Sequence, residues 1–221
     1  MFKMQRDFAQ EREQMVLYQI EKRGVTNPGV LSAMRAVPRH LFVPAEMREH
    51  AYADFPLPIG SDQTISQPYI VALMTALLNL NGTEKVLEVG TGSGYQAAVL
   101  SMLAREVHTI EYIPALARAA AATLRELGYA NIIVHQGDGS LGWPDQAPYD
   151  AIMVTASAPK APPPLLEQLK PAGRMVLPVG SRGMQWLELW QQENGVWQPE
   201  EVLTVAFVPL RGAHGWHGDI Q

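Results

Sequence analysis

Cysteine is absent from all 221 residues, which removes disulfide frameworks, thiolate metal sites and cysteine nucleophiles at once. Long apolar runs are missing too. Nothing approaches the roughly 18 consecutive apolar residues of a membrane helix, and the opening Met1-Phe-Lys-Met-Gln-Arg-Asp-Phe8 has no apolar run of a secretion signal. Positive charge is scarce: 17 Lys and Arg stand against 22 Asp and Glu, a net charge of −5. That balance argues against a surface built for nucleic-acid phosphates. Neither nucleic acid nor membrane is therefore an expected partner, and the expected location is the cytoplasm. Hydrophobic residues make up 47% of the chain, and this length can bury a sizeable core.

The most informative stretch is Val86-Leu-Glu-Val-Gly-Thr-Gly-Ser-Gly-Tyr95. A buried-type strand runs into a glycine turn, and a helix of small residues follows. Such a unit opens a doubly wound α/β sheet, where nucleotide-like ligands sit beyond the carboxyl end of the strand. Gly90, Gly92 and Gly94 allow a sharp turn and a close ligand approach. In the dinucleotide pattern G-x-G-x-x-G the third glycine lies five residues after the first. Here it lies four after, and Tyr95 takes the fifth place. With Glu88 two residues before Gly90, the pattern is the E-x-G-x-G-x-G of S-adenosylmethionine-dependent methyltransferases.

Upstream, apolar residues from Phe8 to Ile20 predict a loosely amphipathic helix stopped by Gly24. Pro28 opens a second short helix closed by Pro38. Arg39, His40 and Arg48 read as solvated helix ends, with contact to an anionic substrate as the alternative. Pro68 starts a buried helix through Leu78, with Ser66 or Gln67 near its cap. From residue 83 onward, strands at 85–89, 107–110, 132–135, 149–154 and 174–179 alternate with helices, which implies parallel pairing. Segments 186–190 and 202–208, separated by Asn194-Gly195, predict an antiparallel hairpin at the edge. The fold class is thus α/β, a doubly wound, mostly parallel Rossmann-like sheet. An N-terminal helical extension (1–80) joins a core (81–221) in one compact unit.

Glu111 ends the second of these strands, where an acid commonly accepts ribose hydroxyls. Asp138, inside Gly137-Asp-Gly139, ends the third, where its carboxylate suits the exocyclic amine of an adenine. His214-Gly-Trp-His217 offers two histidines without a third ligand, a poor metal site, and reads as a loose tail. No metal is expected.

With these residues in hand, the chain resembles the bacterial protein-L-isoaspartate O-methyltransferases over nearly its whole length. The resemblance is carried by Ala36-Val-Pro-Arg-His-Leu-Phe-Val-Pro44, Leu57-Pro-Ile-Gly-Ser-Asp-Gln-Thr-Ile-Ser-Gln-Pro-Tyr69, the glycine turn, Gly137-Asp-Gly139 and Leu169 to Gly180. It implies S-adenosylmethionine as cofactor, S-adenosylhomocysteine as product, and damaged proteins or peptides containing isoaspartate as substrates, acted on by a monomer. It implies that Ser66 is the active-site serine, with Thr64 and Ile65 flanking the cofactor and the substrate carboxylate. Gly90, Gly92 and Ser93 take the methionine part, Glu111 the ribose, and Asp138 with Gly139 the adenine; Thr91, Tyr95 and Tyr112 complete the expected cofactor set. Thr64, Ser66, Val208 and Leu210 are the expected peptide contacts. Ser140 and the tail after Leu210 depart from the family pattern.

The implied chemistry needs no base. An isoaspartyl residue carries a free α-carboxylate, already ionised at neutral pH, so the chain has only to place it in line with the methyl group. The resulting methyl ester has a better leaving group than the carboxylate, and the next backbone amide nitrogen displaces methoxide to give a succinimide. Two other classes share parts of the pattern: a methyltransferase for a small metabolite, and a non-catalytic nucleotide-binding module. A nicotinamide oxidoreductase would need the glycine spacing that is missing.

Overall fold

A computed structural model describes residues 6–181 and 183–216. A seven-stranded sheet runs in the order β5-β4-β3-β6-β7-β8-β9. Its strands are β3 (Lys85–Val89), β4 (Glu106–Glu111), β5 (Ile132–Gln136), β6 (Tyr149–Val154), β7 (Leu169–Gly180), β8 (Gln185–Glu193) and β9 (Val196–Val205). A separate hairpin, β1 (Leu57–Gly60) with β2 (Gln63–Ile65), precedes them. The first five strands of the large sheet pair in parallel, and β7-β8 and β8-β9 pair antiparallel. The parallel core and the antiparallel edge both match the sequence expectation. Asn194 and Gly195 turn the edge hairpin with φ of 51° and 81°, the doubly left-handed geometry of a tight two-residue loop.

Side chains on adjacent strand positions go to opposite faces. Val86, Val107, Ala151 and Met153 face one side, and Leu87, Ile110, Ile152 and Val154 the other. The first face packs on α2 (Pro28–Ala36), α3 (Pro68–Leu78) and α4 (Tyr95–Ser101), and on the N-terminal segment through Met15, Val16 and Ile20. Residues from 15 to 189 thus share one apolar cluster, so the N-terminal segments are part of the core. Each such Val or Leu contributes about 1.5–3 kcal/mol when fully buried.

Local signals explain most element ends. Asp7 caps α1 (Phe8–Gln14) by accepting from Ala9 and Gln10, and Asn27 caps α2 by accepting from Val30. Past α1 the helix widens into a π-helical turn at Met15–Ile20 and then tightens, ending at Gly24. β7 begins at Leu169, earlier than expected, because Leu169 pairs with Tyr149 before the register slips; Pro171 lies in the slipped stretch and has no N–H for the ladder. α5 (Pro114–Glu126) links β4 to β5.

Arg39 corrects a sequence expectation. It is no solvated helix end: it is fully buried, donates from Nε to the Ala51 carbonyl at 2.8 Å, and lies 4.9 Å from the Tyr95 ring centre. The apolar surroundings pull its pKa down to about 10. His40 is likewise tied down, stacked on Phe8 with Nδ1 2.7 Å from the Tyr52 hydroxyl.

Candidate active site

Strand order reverses at β3. β4 and β5 lie to one side of it and β6 and β7 to the other, and a ligand crevice opens beyond the strand ends at such a point. Here a cleft of about 550 Å3, counting its open mouth, is lined by Thr64, Gly90, Gly92, Ile110, Glu111, Tyr112, Ile113, Gly139, Thr155 and residues 208–211. The expected cofactor residues from three successive strand ends therefore meet in one place.

Each acid has a defined job within the chain. Glu111 accepts from the Gly92 N–H at 2.8 Å through Oε2 and from the Ile113 N–H at 2.9 Å through Oε1. It thereby ties the glycine turn to the neighbouring strand end while lining the cleft. Asp138 accepts from the Ser140 N–H and hydroxyl through Oδ1, at 2.9 and 2.6 Å. Its Oδ2 accepts from the Ala213 N–H at 2.7 Å. Ser140, in turn, accepts from the His214 N–H at 3.0 Å. Residues 212–214 are thus strapped onto the Gly-Asp-Gly loop, and the Trp216 indole donates to the Ser157 carbonyl at 2.9 Å. The loose-tail expectation fails for residues 211–216, because Asp138 and Ser140 capture their amides. The Ser140 hydroxyl is the link between them, donating to Asp138 and accepting from His214. Among the described residues no cluster of three His, Cys, Asp or Glu is placed for a metal; His217 lies outside the described residues.

The remaining site residues divide. Tyr112 is half exposed at the cleft wall. Ser93 and Ile65 line a smaller recess with Thr64, Ser66, Gly90 and Gly92. Thr91 is buried with its hydroxyl 2.6 Å from that of Thr109. Tyr95 edges the recess, but its ring is buried edge-on to Phe42 and its hydroxyl reaches Met34 Sδ at 3.8 Å. Its place is structural packing beneath the turn. Leu210, expected at the peptide, is 4% exposed and lines the cofactor cleft, not the groove.

That groove is wider, about 1390 Å3 including its mouth. Arg23, Pro56, Thr64, Ser66, Gln67, Tyr69, Thr155 and residues 203–208 are among those that line it. Thr64, Thr155 and Val208 border both spaces, so the two open onto each other there. Ser66 does not cap α3: the cap position is Gln67, and no side chain bonds the helix start. The helix-cap explanation of Ser66 is therefore removed. Thr155 was not legible from sequence motifs. Its hydroxyl donates to the Gly90 carbonyl at 2.6 Å, and its only signal is its place directly after β6, opposite the glycine turn.

Beneath the turn, Glu88 is fully buried, and burial raises its pKa to about 8, with the nearby Glu111 charge adding to the rise and a Thr109 hydrogen bond opposing it. Thr109 donates to Oε2 at 2.6 Å, while Oε1 has no partner. An unpartnered buried oxygen is far cheaper on a neutral carboxyl than on an anion. The unfolded chain releases this proton near 4.5 and the folded chain near 8. Between those values the folded state holds the extra proton, so this contribution is complete below 4.5 and is lost as pH rises to 8, by up to about 1.4 kcal/mol per pH unit. Glu88→Gln, which mimics the neutral carboxyl, should flatten the decline in melting temperature over this window. A variant whose profile parallels the parent's would show that Glu88 is ionised when folded.

The comparisons with known proteins meet this geometry. The family described as protein-L-isoaspartate(D-aspartate) O-methyltransferase matches residues 10–215. Protein-L-isoaspartate O-methyltransferase 1 of Syntrophobacter fumaroxidans is 55% identical over 212 residues, covering 96% of this chain and 99% of that one. The Roseiflexus castenholzii protein-L-isoaspartate O-methyltransferase is 53% identical, covering 95% and 96%. A solved protein-L-isoaspartate O-methyltransferase superposes with a TM-score of 0.82 at 29% identity, over 92% of this chain and 66% of that one. With matches of this extent on a switch-point cleft edged by Glu111 and Gly139, the chain belongs to the protein-L-isoaspartate(D-aspartate) O-methyltransferase family.

Proposed function

We propose that the cleft at Gly90, Gly92, Glu111 and Tyr112 holds S-adenosylmethionine, and that the groove beside Ser66 holds the isoaspartyl peptide. The enzyme is a repair methyltransferase acting on isoaspartyl residues; the proposal concerns which residues do the work. The carrying observation is that cleft and groove share Thr64, Thr155 and Val208, a junction where a methyl group and a peptide carboxylate can meet.

The residues fit the cofactor. Glu111 brings an acceptor for hydroxyls, Tyr112 a half-exposed ring, and the turn a bare backbone on which side chains would intrude: a Cβ on Gly92 would lie 3.3 Å from Ile59 Cδ1. S-adenosylmethionine supplies a methyl group made electrophilic by its sulfonium centre. The chain's own tasks are to hold an ionised carboxylate in line with that methyl and to exclude water. Ser66, whose hydroxyl hydrogen-bonds nothing among the described residues, is placed in the groove to orient the carboxylate by donation. No proton has to leave it.

Calorimetric titration tests the cleft. S-adenosylhomocysteine should bind and nicotinamide dinucleotides should not. Glu111→Gln has one acceptor oxygen where the carboxylate serves two backbone N–H groups, so it should lose about 1.5–3 kcal/mol of binding, roughly 10- to 150-fold. Tight nicotinamide binding without S-adenosylhomocysteine binding would overturn the assignment. For the groove, Ser66→Ala should lower turnover about tenfold, the loss of a hydrogen bond to a charged group, while melting temperature and cofactor affinity hold. Unchanged turnover would remove Ser66 from the site.

We also propose a cytoplasmic monomer. The sequence has no cysteine to gain from an oxidising compartment. The outer strand β9 carries Pro199, Glu200 and Glu201, which discourage edge-to-edge pairing. Sedimentation at micromolar concentration checks the monomer.

A further inference from the structure

Among the described residues that line the groove, one is charged: Arg23. Its guanidinium carbon lies 3.6 Å from the centre of the Tyr69 ring, and Nη1 donates to Asp54 Oδ2 at 2.9 Å. Asp54 is linked in turn to the residue beside Ser66, since Gln67 Nε2 donates to its carbonyl at 3.0 Å. The Arg23 side chain is still 42% exposed. An exposed ion pair of this kind contributes little stability by itself. A guanidinium held this close over a ring, however, is fixed in place, and its N–H groups beyond the one given to Asp54 can bind a further carboxylate. Arg23 lines neither the cofactor cleft nor the recess that Ser66 shares with Gly90 and Gly92, so the carboxylate it can meet in the groove is not the one that receives the methyl group. We propose that Arg23, stacked on Tyr69, is a subsite for a second carboxylate of the isoaspartyl substrate, borne by an acidic side chain flanking the damaged residue or by a peptide C-terminus. This rests on the reading that the groove takes the peptide.

The test is a set of isoaspartyl hexapeptides with Glu or Gln at each flanking position, each made with a free and an amidated C-terminus. At the matching position Glu should lower KM about two- to fivefold relative to Gln, the range of an exposed ion pair, with kcat unchanged. The gain should vanish in Arg23→Gln and shrink at high salt. It should grow in Asp54→Asn, where the competing carboxylate is gone. A gain tied to the free C-terminus and absent from the Glu series identifies the peptide end as the source. The same Glu-to-Gln and acid-to-amide KM ratios in the parent and in Arg23→Gln would overturn the subsite and leave Arg23 as a partner of Asp54 alone. Should Arg23→Gln fail to fold, Asp54→Asn decides: carboxylate preferences unchanged from the parent count against the subsite. No labelling of any peptide would overturn the groove reading itself, and the subsite with it.

Discussion

A peptide containing isoaspartate should be methylated on the order of 100-fold faster than its aspartate twin. The two have the same mass and nearly the same charge, so composition offers nothing to select on. What differs is the distance from main chain to carboxylate. The isoaspartyl carboxylate stands one methylene closer to the backbone, and the backbone is one methylene longer. A groove that fixes the backbone along residues 203–208 presents only the closer carboxylate where Thr64, Thr155 and Val208 join it to the cleft. An aspartate carboxylate arrives displaced by about an ångström, enough to cost about two powers of ten in rate. Transfer of a labelled methyl group to the peptide pair measures the ratio, and volatile methanol released by mild base identifies the ester. Equal labelling of both peptides would show that the groove does not set the distance. Labelling of a small metabolite with neither peptide would place the chemistry elsewhere.

The parts of this site legible in the sequence were those whose function depends on local chain geometry. The glycine turn, Glu111 and Asp138 each sit at a strand end, and strand ends follow from period and length. The edge hairpin announced itself through Asn194-Gly195. The β1-β2 hairpin did not, because Ser61 and Asp62 take the two positive φ values of its loop, 54° and 57°, while the glycine, Gly60, falls one place ahead of them at the end of β1. That hairpin sets Ile59 against Gly92 and carries Thr64 to the cleft, so its absence from the sequence reading concealed how the two spaces join. Thr155, Arg23 and the strap at 212–214 escaped for a different reason. Their roles come from partners 31 to 75 residues away, Gly90, Asp54 and Asp138, and no local pattern encodes such a pairing. Arg39 shows the limit of composition: a charge that is ordinarily solvated is buried here, with aromatic neighbours and one carbonyl taking the place of water.

Gly90→Ala should damage stability and cofactor binding together. The residue has φ of +97°, a conformation that alanine adopts only with strain, and an added Cβ would come 2.4 Å from Thr155 Oγ1. The strain costs about 1–2 kcal/mol, and the overpacking about 1–3 kcal/mol. The hydroxyl cannot simply step aside, because it donates to the Gly90 carbonyl at 2.6 Å and approaches that of Val89 at 3.1 Å. Those bonds tie the end of β3 to the residue after β6, across the mouth of the cleft. A loss of about 2–5 kcal/mol in a chain of this size lowers the melting temperature by roughly 4–20 °C. Affinity for S-adenosylhomocysteine should fall with it, since the turn that lines the cleft must move. The second variant separates clash from strain. Thr155→Ala removes the 2.4 Å contact and leaves the next, Thr155 Cβ at 3.7 Å, so Gly90→Ala in that background should cost only the backbone term. The double variant should therefore be more stable than the sum of the two single losses by about 1–3 kcal/mol. Strict additivity would mean that the turn yields by moving its backbone and that Thr155 does not hold it in place.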